Sequence, residues 1–347
     1  MATKTAMPTN ELLAMLLGRQ ELTDGQMRGL MQEILLGRHD EGEAAALLIG
    51  LRMKGETAGE VAAAAAELRE HMVRWDPGLP GVLDTCGTGG DGTGTFNIST
   101  ATALVAAGAG VPVVKHGNRS VSSRSGSADV LAALGVQIEG DADFARLCLR
   151  EAGLAFCYAP RFHPCMRHVA ALRRRLGVPT IFNCLGPLAN PAGAEHQLLG
   201  VGRPELLDVI AGALARLGTR HALVVCGSEG LDEVSLGAAT LFRDVRGSAI
   251  SAGEWSAEDF GLPQCRLADL QARDALESAA LIERTLRAEH GPATFVVLAN
   301  AATALFAADR VHTLLEGVAL AQDSVQHGRA LHVLEKLRKL TSSAQEE

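Results

Sequence analysis

The sequence has few cysteines and none of the spacings that mark a cysteine-based framework. Its seven cysteines, at positions 86, 148, 157, 165, 184, 226 and 265, include no C-x-x-C pair. A disulfide-stabilised fold or a structural zinc site built on cysteine is therefore not expected. A reducing compartment suits such a chain, and we expect a cytoplasmic protein.

Aromatic residues and net positive charge are also scarce. Only 3% of the residues are Phe, Trp or Tyr, and the formal net charge is −8. Few side chains can therefore stack on bases, and the acidic chain as a whole repels a phosphate backbone. We expect no nucleic-acid partner.

Long hydrophobic runs are missing as well. No uninterrupted apolar run approaches the roughly 18 residues that span a bilayer. The N-terminal stretch MATKTAMPTNELL has no apolar signal core. We expect no membrane partner, and the 347 residues are enough for one large domain and a small one.

Residues 8 to about 74 carry helical patterns only. Thr23 with Gln26, and Thr57 with Glu60, are candidate capping boxes at two helix starts. The apolar residues between them recur with the spacing of an amphipathic helix, at Met27, Leu30, Met31, Ile34 and Leu35.

A break at residues 75–81 (WDPGLPG) separates this helical segment from the rest of the chain. After the break, strand-like and helix-like runs alternate, which is typical of a mostly parallel sheet flanked by helices. The fold class is therefore α/β, with a small N-terminal helical domain (1–76) and a larger α/β domain (77–347). The runs that we predict as strands are 82–85, 111–114, 223–226 and 294–299.

The most informative stretch, residues 84–129, combines glycines, small polar side chains and a basic cluster. Five glycines between positions 87 and 94 leave backbone N–H groups open to a ligand. Small polar residues then precede an alanine-rich run, where a helix N-cap belongs, and a helix N-terminus attracts anions. With the positive charge that follows at Lys115, His116 and Arg119, the stretch predicts a site for a highly charged phosphate ester.

The same glycines could instead indicate a dinucleotide-binding fold. Gly87, Gly89 and Gly92 satisfy G-x-G-x-x-G, but that fold places an acidic residue about 20 positions later to bind a ribose diol. This chain has Lys115 and His116 there, and the Walker ending Gly-Lys-Ser/Thr is absent. The pattern favours a phosphate ester over NAD.

Several motifs follow one another over nearly the whole chain and belong together. They are GTGGDG (87–92), NIST (97–100), KHGNR (115–119), SGSAD (125–129), HP (163–164), RRRLG (173–177), TIFNCLGP (180–187), NP (190–191) and GLDE (230–233). In this order and spacing they resemble the motifs of the anthranilate phosphoribosyltransferase family of tryptophan biosynthesis. The fold of that family is similar to the fold predicted above.

The resemblance implies a reaction and an assembly. The 5-phosphoribosyl group of PRPP would move to the amine of anthranilate, giving N-(5-phosphoribosyl)anthranilate and pyrophosphate. A segment around 165–195 would join the helical domain, and that domain would mediate a homodimer. No general base stands out, so catalysis is expected to rest on positioning and electrostatics.

The resemblance also implies the site residues. Mg²⁺ would be the cofactor, held by Ser99, Asp232 and Glu233. Anthranilate would contact Gly87, Asn118 and Arg173, the last through its carboxylate, and His116 and His163 are further candidates to line the aromatic pocket. PRPP would be bound by Gly87, Gly90, Asp91, Thr95, Asn97, Ile98, Ser99, Thr100, Lys115, His116, Gly117, Asn118, Arg119, Ser120, Val121, Ser122, Ser123 and Ser127.

Transfer of the same group to a different aromatic acid stays open on the sequence, and so do two other functions. A pyrimidine nucleoside phosphorylase is similar in fold and in its Lys-His phosphate loop, but it binds inorganic phosphate and has no need of the pair Asp232 and Glu233. A non-catalytic, nucleic-acid-binding paralogue is disfavoured by the net acidity and the scarce aromatics.

Overall fold

The N-terminal residues fold as helices because their apolar side chains recur on one face. The computed structural model describes residues 7–119 and 126–343. Its first four elements are α1 (Thr9–Leu17), α2 (Asp24–Leu35), α3 (Glu41–Lys54) and α4 (Ala58–Glu70). All five apolar residues predicted for one face of a helix are buried in α2. Both predicted capping boxes are present, with the Thr23 and Thr57 amides 2.9 Å from Gln26 Oε1 and Glu60 Oε2.

The remaining described residues form a sheet with helices on both faces. The strands are β1 (Leu83–Gly87), β2 (Val113–Gly117), β3 (Leu154–Tyr158), β4 (His196–Gly200), β5 (His221–Gly227), β6 (Thr240–Arg246) and β7 (Ala249–Trp255). The helices are α5 (Ile98–Gly108), α6 (Ser127–Ala133), α7 (Ala142–Ala152), α8 (Ala159–Phe162), α9 (Arg167–Leu176), α10 (Phe182–Leu185), α11 (Leu206–Arg216), α12 (Ala275–Leu286), α13 (Pro292–Ala307), α14 (Leu314–Gln326) and α15 (Arg329–Ser343).

The sheet has the order β3-β2-β1-β4-β5-β6-β7. The first five strands in this order are parallel, and β6 and β7 form an antiparallel hairpin at one edge. The predicted fold class, a small helical domain followed by a larger, mostly parallel α/β domain, is therefore confirmed.

Alternate residues of the strands contribute to two hydrophobic cores, one on each face of the sheet. In β5, Leu223 and Val225 pack with the α5 and α13 side, while Val224 and Cys226 pack with α11 and the N-terminal helices. This is the period of two that a strand buried on both faces requires. The N-terminal helices therefore share a core with one face of the sheet.

Two helices from the middle of the chain also pack on the N-terminal helices. Helix α9 lies against α2 and α3, and α10 lies against α4. None of the helices in the described part of the chain combines the length and the apolar character of a bilayer span.

One predicted strand is wrong. Residues 294–299, the run TFVVLA, lie inside the helix α13. Pro292 starts this helix, as is common for the first helical position, and nearly every side chain in it is buried. A short apolar run that is buried on all sides shows no helical periodicity, which is why the sequence did not distinguish it from a core strand.

The helical segment contains a buried ion pair that should dominate its stability. The Glu60 carboxylate accepts from Lys54 Nζ at 2.8 Å and from the Leu22 amide at 2.9 Å, and both charged side chains are nearly inaccessible. We expect Glu60→Ala to lower the free energy of unfolding by about 3–5 kcal/mol, because it leaves an ammonium group buried without its partner. Denaturant unfolding checks this.

The control is Glu70→Ala, which removes an exposed ion pair with Arg74 and should cost at most about 1 kcal/mol. Equal losses in the two variants would show that the Lys54–Glu60 pair is not important for stability.

Candidate active site

The strand order places a crevice at the carboxyl ends of β1 and β4. β2, the next strand in the chain, pairs with one side of β1, and β4 pairs with the other side. In open parallel sheets, ligands bind where the strand order reverses in this way. The glycine-rich residues 87–94 begin at the end of β1, and Gly200 ends β4 beside it.

The loop after β5 crosses this crevice in direct contact with both strand ends. A Cβ atom on Gly87 would lie 2.5 Å from Asp232 Oδ2, and one on Gly200 would lie 1.6 Å from the Asp232 carbonyl oxygen. The Gly89 amide donates to Asp232 Oδ2 at 3.1 Å. Only glycine at positions 87 and 200 therefore allows the acidic loop to approach so closely.

Three carboxylates gather at this point. Asp91 lies beside Asp232, and Glu233 lies next to Asp232 and to the Ser99 amide at the start of α5. Burial raises the pKa of both Asp232 and Glu233, and repulsion from the neighbouring carboxylates adds to the rise. Crowded carboxylates next to a hydroxyl form a set of hard oxygen donors that a divalent cation would stabilise.

A buried asparagine fixes the backbone of the acidic loop. Asn300, in the middle of α13 and fully buried, accepts from the Val234 amide at 2.9 Å and donates to the Val234 carbonyl at 3.0 Å. Its side chain also donates to the Val296 carbonyl of its own helix at 2.8 Å. Both ends of the amide are therefore used to hold the residue that follows Glu233.

Lys115 lies beneath the carboxylates. Its side chain is almost inaccessible, and Nζ donates to the Thr85 carbonyl and to Ser99 Oγ, the latter at 3.0 Å. Burial lowers the pKa of Lys115, and the nearby carboxylates, chiefly Asp84, oppose that shift. The ammonium group thus provides positive charge from inside the sheet.

A polar network in the core supports this lysine. Asp84 is fully buried and accepts from Asn190 Nδ2 at 2.8 Å and from the His116 amide at 3.3 Å. Asn190 also donates to the Val114 carbonyl at 2.8 Å. Burial raises the pKa of Asp84 to about 6, and Lys115 and Asn190 oppose the rise. The network ties β1 to β2 directly below the site.

The start of α5 forms the next part of the crevice. Asn97 caps this helix, because its Oδ1 accepts from the Thr100 amide at 3.0 Å; the cap thus comes from the small polar residues before the alanine-rich run, where the sequence predicts one. Ile98 is buried as the first helical residue, and the Ser99 hydroxyl is half exposed and donates to Asn97 Oδ1 at 3.3 Å. Thr95 forms an isolated bridge to Gln271, which anchors the chain just before the cap. The partial positive charge of the helix N-terminus points at the carboxylates.

The segment after β2 is only partly described. Asn118 is exposed, and Arg119 pairs with Asp129 at 3.2 Å. A Cβ atom on Gly117 would lie 2.1 Å from Ser127 Oγ, so Ser127 packs against the end of β2. Ser127 is the first residue of α6 and not its cap, since Gly126 is the capping residue. The predicted residues Ser120, Val121, Ser122 and Ser123 lie outside the described residues.

Two buried histidines flank the crevice. The rings of His116 and His163 lie 4.9 Å apart between centroids, and His116 Nδ1 is 3.0 Å from the Gly186 carbonyl oxygen. Burial lowers the pKa of His116 to about 3 and that of His163 to about 4. Both rings are therefore neutral at neutral pH.

Arg173 approaches from the helical side. It lies on α9 with its guanidinium carbon 5.6 Å from the ring centroid of Phe182, and burial lowers its pKa. Within the described part of the chain, no carboxylate pairs with it. Its neighbours differ, because Arg174 and Arg175 are exposed and Arg175 pairs with Glu41. Arg173 is thus the member of the triplet that turns inward.

The sequence matches the models of two known protein domains over most of its length. Residues 79–331 match the model of the glycosyl transferase family a/b domain, and residues 10–72 match that family's helical bundle domain. An anthranilate phosphoribosyltransferase of Symbiobacterium thermophilum is 45% identical over 322 residues, covering 93% of this chain and 94% of the relative. This chain belongs to the anthranilate phosphoribosyltransferase family.

Solved structures agree with that assignment. The anthranilate phosphoribosyltransferase of Thermus thermophilus superposes with a TM-score of 0.89 at 41% identity, covering 95% of this chain and 99% of that chain. The Saccharomyces cerevisiae protein, solved in complex with PRPP and Mg, gives a TM-score of 0.88 at 28% identity, with coverage of 96% and 98%. The family named from the sequence motifs is confirmed, and the chain is a phosphoribosyltransferase of tryptophan biosynthesis.

Several residues of this enzyme's site were not found from the sequence. Asp84 opens the stretch 84–129 and Asn190 lies in the NP motif, but nothing in the sequence reveals that they bond each other across 106 positions. In the sequence, Gly200 is only a glycine in an apolar run, and nothing there indicates its contact with Asp232. Asn300 directly follows residues 294–299, which the sequence predicts as a strand. Because these residues are part of α13, the contact of Asn300 with Val234 was not expected.

The histidine pair predicts a specific dependence of stability on pH. Because the folded pKa of His163 lies near 4 and the unfolded value near 6.5, protons bind more tightly to the unfolded chain between these values. The stabilisation is therefore complete above about pH 6.5 and is lost as the pH falls, by up to about 1.4 kcal/mol per pH unit.

We expect His163→Gln to remove this contribution, so that the free energy of unfolding falls less steeply between pH 6.5 and 4 than in the wild type. The quantity to measure is the difference between the two proteins in denaturant unfolding at several pH values. His332→Asn, an exposed substitution on α15, is the control. Parallel profiles for wild type and His163→Gln would contradict the assignment of a neutral, buried His163.

Proposed function

We propose that this chain transfers the 5-phosphoribosyl group of PRPP to the amine of anthranilate, with the glycine-rich loop, the start of α5 and the acidic loop forming the PRPP site. The observation that carries the proposal is the direct contact of Asp232 with Gly87 and Gly89, which are separated from it by over 140 positions in sequence. The bare backbone of the glycine-rich loop, the N-terminus of α5 and the paired carboxylates then lie together at the carboxyl ends of the strands. Such a site suits a polyanion bound together with a divalent cation.

Mg²⁺ is the cation that fits this set of donors. Asp232, Glu233 and the Ser99 hydroxyl offer hard oxygen atoms. Burial, with repulsion between the carboxylates, raises the pKa of both acids, so a bound cation would stabilise their charged forms. The related yeast protein has been solved with PRPP and Mg, which supports the same pairing here. When bound, Mg²⁺ would neutralise charge on the departing pyrophosphate.

The protein's own groups would bind the rest of PRPP. The amides of Gly90 and Asp91, with Gly87, Thr95, Asn97, Ile98 and Thr100, would bind it between the glycine-rich loop and the start of α5. Lys115 would attract the phosphates by its charge, since its Nζ lies at Ser99 Oγ below the crevice. His116, Gly117, Asn118, Arg119, the serine-rich residues 120–123 and Ser127 would complete the phosphate site from the β2 side.

Anthranilate would enter from the helical side. We assign Arg173 to its carboxylate, because a half-buried guanidinium without a carboxylate partner among the described residues is well placed to bind one bidentately. Gly87 and Asn118 would contact the ring and amine. His116 and His163 are neutral and apolar enough to border an aromatic ring.

The chemistry then requires positioning more than proton transfer. The bond between the ribose C1 and the pyrophosphate oxygen breaks as the amine nitrogen bonds to C1, and the nitrogen loses one proton. Positive charge develops on the ribose at this stage, as in other glycosyl transfers. The nearby carboxylates and the oriented amides of the glycine-rich loop are suited to stabilise that charge separation.

Domain organisation, assembly and location are part of the same proposal. We divide the chain at 76/77, with the segment around 165–195 joining the helical domain through α9 and α10. Leu17 on α1 and Met53 on α3 are 80% and 77% exposed on neighbouring helices, and a homodimer through this face would cover them. Seven free thiols agree with a reducing cytoplasm.

The direct test follows the loss of anthranilate fluorescence with PRPP, with and without Mg²⁺. Rapid, Mg²⁺-dependent loss is expected. Phosphorolysis of a pyrimidine nucleoside with inorganic phosphate, measured in parallel, is expected to be negligible. The opposite pattern would favour the nucleoside phosphorylase alternative, and a gel shift with nucleic acid in the absence of turnover would favour the non-catalytic one.

The acidic pair supplies the first prediction on activity. Asp232→Asn combined with Glu233→Gln should lower turnover at least about 100-fold, because stabilisation by a metal is worth several kcal/mol. The control is Glu258→Gln with Asp259→Asn, an adjacent pair of exposed acids, which should leave turnover and its Mg²⁺ dependence unchanged. Full activity of the first double variant at limiting Mg²⁺ would refute the metal assignment.

Arg173 supplies the second prediction on activity. Arg173→Ala should raise the KM for anthranilate about 10- to 100-fold, the equivalent of one charge-assisted hydrogen-bonding pair, and should leave the KM for PRPP nearly constant. Arg174→Ala, the exposed neighbour on α9, is the matched control. If Arg173→Ala affected the two KM values equally, the arginine would not be the carboxylate ligand.

A further inference from the structure

A second cluster of titratable side chains lies at the amino ends of the strands, at the opposite end of the sheet from the candidate active site. His196 and His221 are the first residues of β4 and β5, and both are almost completely buried. Asp309 follows the end of α13. One donor atom from each of these three residues lies within 4.8 Å of the other two. Since β5 is seven residues long, the cluster is about 20 Å from the acidic loop at the other end of the sheet.

The contacts of the two histidines leave one nitrogen of each ring facing the cluster. His196 Nδ1 lies 2.7 Å from the Ala307 carbonyl oxygen, which can only accept, so Nδ1 carries the proton and Nε2 keeps its lone pair. His221 Nε2 lies 3.0 Å from Asp244 Oδ1, and its Nδ1 lies 2.7 Å from Asp309 Oδ1. A carbonyl or carboxylate behind each imidazole is the arrangement that orients metal-bound histidines.

His221 links the cluster to Asp309. Its Nδ1 forms a hydrogen bond with Asp309 Oδ1 at 2.7 Å, whereas its buried Nε2 has no hydrogen-bond partner among the described residues, although Asp244 Oδ1 lies 3.0 Å away. A cation bound by both groups would replace the hydrogen bond between His221 and Asp309.

We propose that His196, His221 and Asp309 bind a single zinc ion, at a site separate from the catalytic crevice. Two imidazoles and one carboxylate are a common set of zinc ligands, and the fourth position would face solvent on the side of the half-exposed Asp309. Zinc would join the amino ends of β4 and β5 to the end of α13.

The site can open to the required size by a small movement. Ligand bonds of about 2.0–2.1 Å in a tetrahedron place two ligand atoms about 3.3 Å apart, whereas His221 Nδ1 and Asp309 Oδ1 are now 2.7 Å apart. Asp309 has a φ of 52° just past the helix end and lies at the surface, so its side chain can move outward by the missing distance.

The arginines around Asp309 do not block this exchange. Arg246 lies 3.3 Å from Asp309 but also 3.2 Å from Asp244, and Arg220 lies 4.0 Å from Asp309 but 3.3 Å from Glu195. Each arginine therefore keeps a carboxylate when Asp309 turns to the metal. Three carboxylates against two guanidinium groups also leave one negative charge to attract a cation.

The experiment titrates the full-length, metal-stripped protein with Zn²⁺ in excess Mg²⁺, by calorimetry. One equivalent is expected to bind, to raise Tm, and to bind equally in the Asp232→Asn, Glu233→Gln double variant. Co²⁺ in place of zinc should give the visible absorption of a tetrahedral site. Asp309→Asn, which keeps the size and tolerance of positive φ, should weaken binding at least tenfold and leave turnover without zinc unchanged.

Asp244→Asn should weaken binding by about 10- to 100-fold, because it removes only the orienting carboxylate. Asp143→Asn, an exposed acid on α7, is the control and should bind as the wild type does. If the wild type binds no zinc, or if Asp309→Asn binds it as tightly, the site does not exist and the contact of His221 with Asp309 is only a hydrogen bond.

Discussion

The active crevice depends on a close backbone approach that only glycine permits. Gly87 and Gly200 end adjacent parallel strands, and the loop after β5 rests directly on both, with Asp232 atoms occupying the space of the missing side chains. Without this contact the carboxylates would lie outside the crevice, away from the glycine-rich loop and the start of α5. The position of the acids is thus determined by strand packing before any ligand is present.

Electrostatics follow from that packing. Bringing Asp91, Asp232 and Glu233 together with little solvent is unfavourable by itself, and the raised pKa values of Asp232 and Glu233 express this cost. Lys115 offsets part of it from below, and Asp84 in turn opposes the fall that burial causes in the pKa of Lys115. What remains is a crowded group of carboxylates at the crevice, whose charged forms a divalent cation arriving with a polyphosphate would stabilise.

The sequence predicted the parts of the fold that depend on local chemistry. Both capping boxes, the buried face of α2 and a polar cap before the alanine-rich run of α5 are local features, and each is confirmed. What failed or was missed depends on tertiary packing. The run at 294–299 is buried on all sides and shows no helical period, and the pairing of Asp84 with Asn190 joins distant segments. The motifs supplied the candidate site residues without showing that Lys115 is buried.

Helix α13 runs between the two clusters of polar residues, one at the carboxyl ends of the strands and one at their amino ends. Asn300 holds the backbone next to Glu233, and Asp309, nine positions further on, faces His221 at the amino end of β5. Asn300 lies seven residues before the end of α13 at Ala307, or about 10 Å along the helix axis. Since Asp309 follows that end, a rigid α13 anchored at one end of the sheet also positions the other. A metal that fastened Asp309 to His196 and His221 would therefore limit the movement of Asn300, and through it the movement of the acidic loop. The same helix thus provides a physical route by which the far cluster could affect the order of the loop carrying Asp232 and Glu233.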